Sequence, residues 1–136
     1  TGKSKGFHCY PRNEIMKNFT TGQNLGLIIG RQGQAVGNMQ WNLSFITNSM
    51  TDFNLYYRGG GTTLPLYLYP ETTAQQTLDG NTERTPNLNP EIVKQIAEGL
   101  GYFFSPEKPD YNVQTEETNQ LYPIDILDYI LCSSIK

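Results

Sequence analysis

Residues 25–31 read Leu-Gly-Leu-Ile-Ile-Gly-Arg, and this short apolar run decides how the chain folds. A continuous run of β-forming residues bounded by turn signals is typical of a buried strand. The five residues before it are turn-forming, and residues 32–41 after it form a polar segment with two further glycines. The run therefore predicts a buried strand that leads into an exposed loop, a place where recognition residues are common.

The residues that follow extend this strand into a small sheet. Residues 42–47 and 52–57 are rich in β-forming residues and predict two further strands. Residues 58–63 must form a loop, because three successive glycines neither pack a strand nor hold a helix. Residues 64–70 predict a last strand, whose prolines suit an edge of the sheet. We therefore expect a compact β unit over residues 25–70.

Helical patterns lie on both sides of this unit. Residues 11–19 have apolar side chains at helical spacing, and residues 123–131 repeat that pattern near the C-terminus. Between them, Asn89 is a suitable N-cap and Pro90 suits the first turn of a helix that ends at Gly99 or Gly101. The predicted apolar stripe of that helix consists of Ile92, Val93, Ile96, Ala97 and Leu100. A short core-facing segment is expected next, at residues 102–104.

These patterns predict an α+β fold, with a small, twisted, mostly antiparallel sheet, an N-terminal helix and C-terminal helices. Three parts are expected along the chain. Residues 1–75 form a strand-rich unit with a basic N-terminal segment, and residues 76–89 form a polar linker. Residues 90–136 form a helical part, and its abrupt end at residues 131–136 predicts that the chain is truncated there.

Charge is distributed unevenly over the 136 residues, although the net charge is only −3. Residues 1–31 carry five basic residues and one acidic residue, whereas residues 71–136 carry four basic and eleven acidic residues. This asymmetry predicts a basic face able to meet phosphate, with ordinary surface charge as the alternative. No apolar run is long enough for a membrane span, and residues 1–6 lack the apolar core of a secretion signal. We expect a cytoplasmic protein without a membrane partner.

The residues of common active sites are scarce in this sequence. The chain has one histidine, His8, and its neighbour Cys9 is poorly placed as a catalytic partner because adjacent side chains on an extended chain point apart. Cys9 and Cys132 are too few for a structural zinc site. The glycines at 59–61 are not followed by the Lys-Ser or Lys-Thr of a nucleotide-binding loop. We therefore expect no catalytic, metal-binding or cofactor-binding residue in this chain.

Binding residues are easier to nominate. Arginine, glutamine and asparagine make bidentate hydrogen bonds to guanine and adenine edges, and several of them occur in or beside the loop after residue 30. Lysines and arginines near the N-terminus supply attraction to phosphate. The alternative is that the amides only make the loop soluble. The predicted DNA-binding residues are Lys3, Lys5, Arg12, Lys17, Arg31, Gln32, Gln34, Asn38, Gln40 and Arg58.

Short motifs along most of the chain add a family resemblance. They are Thr1-Gly2-Lys3-Ser4-Lys5-Gly6-Phe7, Pro11-Arg12-Asn13-Glu14-Ile15-Met16, Asn24-Leu25-Gly26-Leu27 leading to Arg31-Gln32, Phe45-Ile46-Thr47-Asn48 with Thr51-Asp52, Leu64-Pro65-Leu66-Tyr67-Leu68-Tyr69-Pro70, Asn87-Leu88-Asn89-Pro90-Glu91-Ile92, and Pro123-Ile124-Asp125-Ile126-Leu127-Asp128-Tyr129-Ile130. In this order they resemble the C-terminal target-recognition (specificity) region of bacterial single-polypeptide restriction-modification enzymes, which contain an adenine-specific DNA methyltransferase.

The resemblance implies a function for the chain. It would bind duplex DNA sequence-specifically for a methyltransferase and nuclease elsewhere in the parent polypeptide, and the methyltransferase domain would be its second partner. S-adenosylmethionine and Mg²⁺ would belong to the parent's other domains, with no cofactor in this chain. The alternative is a non-catalytic protein-interaction or assembly module of a larger enzyme. A stand-alone hydrolase is a third interpretation, which the scarcity of acid and nucleophile clusters disfavours.

Overall fold

A computed structural model of the chain describes residues 13–20, 22–30, 43–52, 55, 60–70, 83–109 and 119–134. The chain divides into two compact units, Thr1–Thr85 and Pro86–Lys136. Among the described residues, the first unit has a three-stranded antiparallel sheet and a short helix, and the second has two helices and a two-stranded sheet. The predicted α+β class, with its N-terminal and C-terminal helices, is confirmed.

The apolar run at residues 25–31 forms the central strand of the first unit. This strand, β1 (Gly26–Ile29), lies between β2 (Ser44–Thr47) and β3 (Thr62–Pro65) in a three-stranded antiparallel sheet. Gly26 lies opposite Thr47 and Pro65, and Ile29 lies opposite Ser44 and Thr62. Leu27 and Ile28 are buried, as a central strand requires. The prediction of a buried strand at this position is confirmed.

The predicted strand over residues 64–70 is divided in two. Pro65 ends β3, a bend at Leu66 follows, and β4 (Tyr67–Leu68) then pairs with β5 (Thr85–Pro86), where the first unit ends. The break falls next to Pro65, which has no backbone N–H and lies on an edge strand, as predicted.

The strand predicted at residues 52–57 is wrong where the structure describes it. Leu55 N donates a hydrogen bond to Asp52 O over 3.3 Å, which closes a turn. Aspartate favours turns because its side chain competes for nearby backbone groups. The other four residues of that prediction lie outside the described residues.

The N-terminal helix is short. It comprises α1 (Asn13–Met16) and a 3₁₀ turn at Lys17–Phe19, which confirms the helix predicted over residues 11–19. The ring of Phe19 lies on Gly26 so closely that a Cβ atom on this glycine would be 2.5 Å from Phe19 Cζ. Glycine is therefore needed where the helical turn meets the sheet.

The second unit begins with helix α2 (Pro90–Leu100), and the predicted signals at both of its ends are confirmed. Asn89 Oδ1 accepts hydrogen bonds from Glu91 N at 3.0 Å and from Ile92 N at 3.3 Å. Gly101 adopts a left-handed conformation with φ 68°, and its N–H donates hydrogen bonds to Ala97 O and Glu98 O. Left-handed residues favour glycine, so Gly101 ends α2.

Less of the apolar stripe of α2 is buried than the sequence predicted. Val93 and Ala97 join Leu121 and Ile126 in a core cluster, with Leu88 and Phe104 packed against it. The other three residues of the predicted stripe, Ile92, Ile96 and Leu100, are exposed. Ile92 and Ile96 are the neighbours of Val93 and Ala97 in the sequence, and Leu100 lies about one turn after Ala97. All three fall outside the narrow face of α2 that packs on the core.

Strand β6 (Phe103–Phe104) pairs in parallel with β7 (Gln120–Leu121), and helix α3 (Pro123–Ser134) follows. Successive strand residues point to opposite faces, so Phe104 packs on the core while Phe103 is 78% exposed. The core-facing prediction for residues 102–104 is thus correct only for Phe104. The helix predicted at residues 123–131 is confirmed. In the part of the chain that the structure describes, no helix is long and apolar enough to cross a membrane.

Candidate functional site

One end of the three-stranded sheet holds the base of the predicted recognition loop. Residues 31–42 connect β1 to its antiparallel neighbour β2. Gly30 N donates a hydrogen bond to Leu43 O over 2.8 Å, one residue beyond the last strand pair, Ile29 with Ser44. The two ends of the loop are therefore held side by side by backbone atoms. The predicted residues in it, Arg31, Gln32, Gln34, Asn38 and Gln40, lie outside the described residues.

A second segment joins the sheet at this same end. Strand β3 begins at Thr62, directly opposite Ile29. Just before it, Gly60 has φ 87°, a conformation that favours glycine. Arg58 lies outside the described residues. The antiparallel register thus places the described residues Gly30 and Gly60 at the same end of one sheet.

The described side chains at this end are of mixed size. Thr62 is exposed, and Ser44 and Ile29 are half-buried. Thr63 is buried, and its hydroxyl forms a hydrogen bond of 2.7 Å with the Thr51 hydroxyl. This end of the sheet therefore presents hydroxyl groups beside an aliphatic side chain.

The other end of β1 is fixed by two buried asparagines, Asn18 and Asn24, which we call the asparagine clamp. Asn24 is 6% exposed, and its amide makes four hydrogen bonds. Its Oδ1 accepts from Leu25 N at 2.9 Å and Tyr67 N at 3.1 Å. Its Nδ2 donates to Asn18 O at 2.9 Å and Tyr67 O at 2.8 Å. The side chain thus pairs with both backbone groups of Tyr67, as a neighbouring strand residue would.

Asn18 extends this network into the helical turn. It is 1% exposed, and its Nδ2 donates to Glu14 O at 3.1 Å and Ile15 O at 3.0 Å. Its Oδ1 accepts from Tyr69 N at 2.8 Å. The clamp therefore ties the helical turn to the start of β1 and to the segment that contains β4.

Neither asparagine could be nominated from the sequence. Asn24 lies among turn-forming residues and Asn18 in a helical pattern, and asparagine is common in such places. The bonds that reveal their role join residues 43 and 51 positions apart along the chain. No local pattern carries that information.

Lys17 is the one predicted DNA-binding residue that the structure describes. It lies half-buried in the turn next to Asn18, at the clamp. Lys3, Lys5 and Arg12 precede it and lie outside the described residues. The structure therefore fixes Lys17 at the clamp, whereas the loop base lies at the other end of β1.

Arg84 is a cationic residue whose described contacts are structural. The sequence assigned it to a polar linker, but its guanidinium lies over the Tyr67 ring at 4.0 Å and donates a hydrogen bond to Gln23 O. Tyr69 Oη donates to the same carbonyl at 2.9 Å. Arg84 therefore braces the turn that precedes β1.

An apolar groove of about 580 Å³ marks the second unit. Val93 and Ala97 of α2 line one part of it, and Tyr102, Phe103 and Phe104 line another. Lys94 and Glu98 are also in its wall and approach each other to 3.9 Å. Within the described ranges, no group of three or more histidine, cysteine, aspartate or glutamate residues is placed to hold a metal ion.

A braced sheet that anchors two loops at one end is typical of a recognition domain. The model of one protein family, the Type ISP C-terminal specificity domain, matches residues 2–132. The chain belongs to this family, which confirms its resemblance to the target-recognition region of restriction-modification enzymes. No curated protein and no solved structure matches it significantly. Membership supports a target-recognition role in restriction and modification.

Proposed function

We propose that this chain recognises a sequence in duplex DNA for a methyltransferase and nuclease in other domains of the same parent polypeptide. The observation that carries this proposal is the register of the first sheet. It brings the described residues Gly30 and Gly60 to one end of the sheet. In the sequence, Arg31, Gln32 and Gln34 directly follow Gly30, and Arg58 precedes Gly60. These are the side-chain types that distinguish base edges in the major groove.

The two kinds of predicted contact have different tasks. Lys3, Lys5, Arg12 and Lys17 attract phosphate and place the domain on the duplex without reading its sequence. The loop side chains, including Asn38 and Gln40, then test the bases. Methylation belongs to the partner domain, which flips an adenine out of the helix and binds S-adenosylmethionine. Mg²⁺ belongs to the nuclease in this scheme, so this chain contributes recognition and no chemistry.

The test uses the parent protein and two duplexes, one with its methylation site and one with that site scrambled. Each good bidentate base contact contributes about 1–3 kcal/mol of discrimination. Replacing Arg31, Gln32 and Gln34 together with alanine should therefore lower affinity for the target duplex by at least about tenfold. A parent with Gln95→Ala and Lys108→Ala, both exposed and outside the groove, is the matched control and should bind as the wild type does. Unchanged target affinity in the loop variant would refute the proposal.

A protein-interaction module is the second candidate, and the apolar groove beside α2 favours it. Salt separates the two functions. DNA binding through phosphate weakens log-linearly as salt rises, whereas an apolar protein interface scarcely responds. A partner domain held by the groove should therefore stay bound in salt that releases the DNA.

A further inference from the structure

Building on the proposed function, we propose that Asn18 and Asn24 are positioning residues for DNA recognition. The asparagine clamp holds the helical turn that carries Lys17 at a fixed place relative to β1. Phosphate contacts made from the turn and base contacts made from the other end of β1 then belong to one rigid body. Neither asparagine needs to touch DNA for this role.

The bonding pattern supports a fixed connection. Seven hydrogen bonds run through the two side-chain amides. Two of them join the turn directly to its surroundings, Asn24 Nδ2 to Asn18 O and Tyr69 N to Asn18 Oδ1. Both side chains are almost fully buried, so water does not compete easily for these bonds. The turn is therefore held by its surroundings as well as by its own short helix.

The distances suit a single DNA site. Asn24 and Gly30 are six positions apart, and extended chain of this length spans about 20 Å. Duplex DNA rises about 3.4 Å per base pair, so this span corresponds to about six base pairs. Both ends of β1 can thus face one recognition sequence.

The clamp matters for specific binding more than for non-specific binding. Specific binding requires phosphate and base contacts to form together. A turn that is mobile in the free protein then loses conformational entropy on binding, which weakens the affinity. Non-specific binding depends on charge, and charge is unchanged when the turn is loose. Loss of the clamp should therefore lower the ratio of the affinity for the target duplex to that for the scrambled duplex.

The experiment compares wild-type parent with Asn18→Ala. We expect affinity for the target duplex to fall about tenfold. This factor corresponds to the entropic cost of immobilising one or two side chains. Affinity for the scrambled duplex should stay within about twofold, because every cation remains. Hydrogen exchange at the amides of residues 13–20 should become faster in the same protein, which reports release of the turn.

A second variant covers the case in which Asn18→Ala does not fold. Asn18→Ser removes the amide that accepts from Tyr69 N, while its hydroxyl can still donate to Glu14 O or Ile15 O within the turn. Gln95→Ser makes the same change at an exposed position and is its matched control. Asn18→Ser should lower the ratio of target to scrambled-duplex affinity, and Gln95→Ser should leave it unchanged.

The outcomes separate this inference from the proposed function. If wild-type parent does not distinguish the two duplexes, the proposed function fails and the inference fails with it. If the wild type discriminates and a folded Asn18 variant discriminates equally well, the inference alone is overturned. An equal loss of affinity for both duplexes also overturns it, because that result indicates a general structural defect.

Discussion

Removing the Asn24 amide should strongly destabilise the first unit. In Asn24→Ala, Tyr67 N, Tyr67 O, Leu25 N and Asn18 O each lose a partner. Tyr67 is 6% exposed, so its two backbone groups have little access to water. An intramolecular hydrogen bond contributes about 0.5–1.5 kcal/mol to stability. Four lost bonds therefore give an expected loss of about 2–6 kcal/mol in the free energy of unfolding.

This loss is a large part of the roughly 5–15 kcal/mol that stabilises an ordinary domain. Urea unfolding of the 136-residue chain at 25 °C measures it, followed by tryptophan fluorescence and far-UV circular dichroism. Trp41 is the chain's only tryptophan and belongs to the first unit. Gln95→Ala, an exposed amide in the second unit, is the control and should stay within about 0.5 kcal/mol of wild type. A loss below about 1 kcal/mol for Asn24→Ala would refute the argument that its bonds stabilise the sheet.

Three further substitutions test the fold by thermal unfolding of the chain. Gly26→Ala should destabilise the first unit by about 1–3 kcal/mol, because the added methyl would lie 2.5 Å from Phe19 Cζ and 3.2 Å from Leu64 O. An unchanged melting temperature would contradict this packing. Gly99→Ala should stabilise α2 by about 0.5–1 kcal/mol, since no atom lies within 4 Å of the new methyl, and a lower melting temperature would count against it. Asn89→Ala removes two N-cap bonds and should cost about 1 kcal/mol, so a neutral result would show that water replaces the cap.

Features that depend on neighbouring residues could be predicted from the sequence. The ends of α2 followed from Asn89, Pro90 and Gly101, because capping involves residues within one turn of the helix. The buried strand β1 followed from its apolar run between turn residues. Pro65 was expected at an edge because it has no backbone donor, and it lies there.

Features that depend on packing between residues far apart in the sequence could not be predicted. Helical periodicity identifies an apolar arc, but the size of the neighbouring core decides how much of it is buried. Val93 and Ala97 meet that core, whereas Ile92 and Leu100 do not. The turn at Asp52 likewise replaced a strand that local β propensity favoured. Such propensities are weak where partner strands decide.

The candidate site shows the same division. Amide and guanidinium side chains after β1 suggested a loop that contacts DNA, and they remain predicted contacts. The sequence did not reveal that β3 starts beside the loop base, since register depends on pairing between distant strands. It also did not reveal the asparagine clamp, whose bonds join residues far apart in the chain.

The bond that closes the loop base has an evolutionary consequence. Gly30 N and Leu43 O are backbone atoms, so this closure is indifferent to the side chains between them. Doubling the length of a flexible loop adds only about 0.6 kcal/mol to the cost of joining its ends. Under the proposed function, exchange of residues 31–42 between homologous genes would give a descendant a new target on the same scaffold.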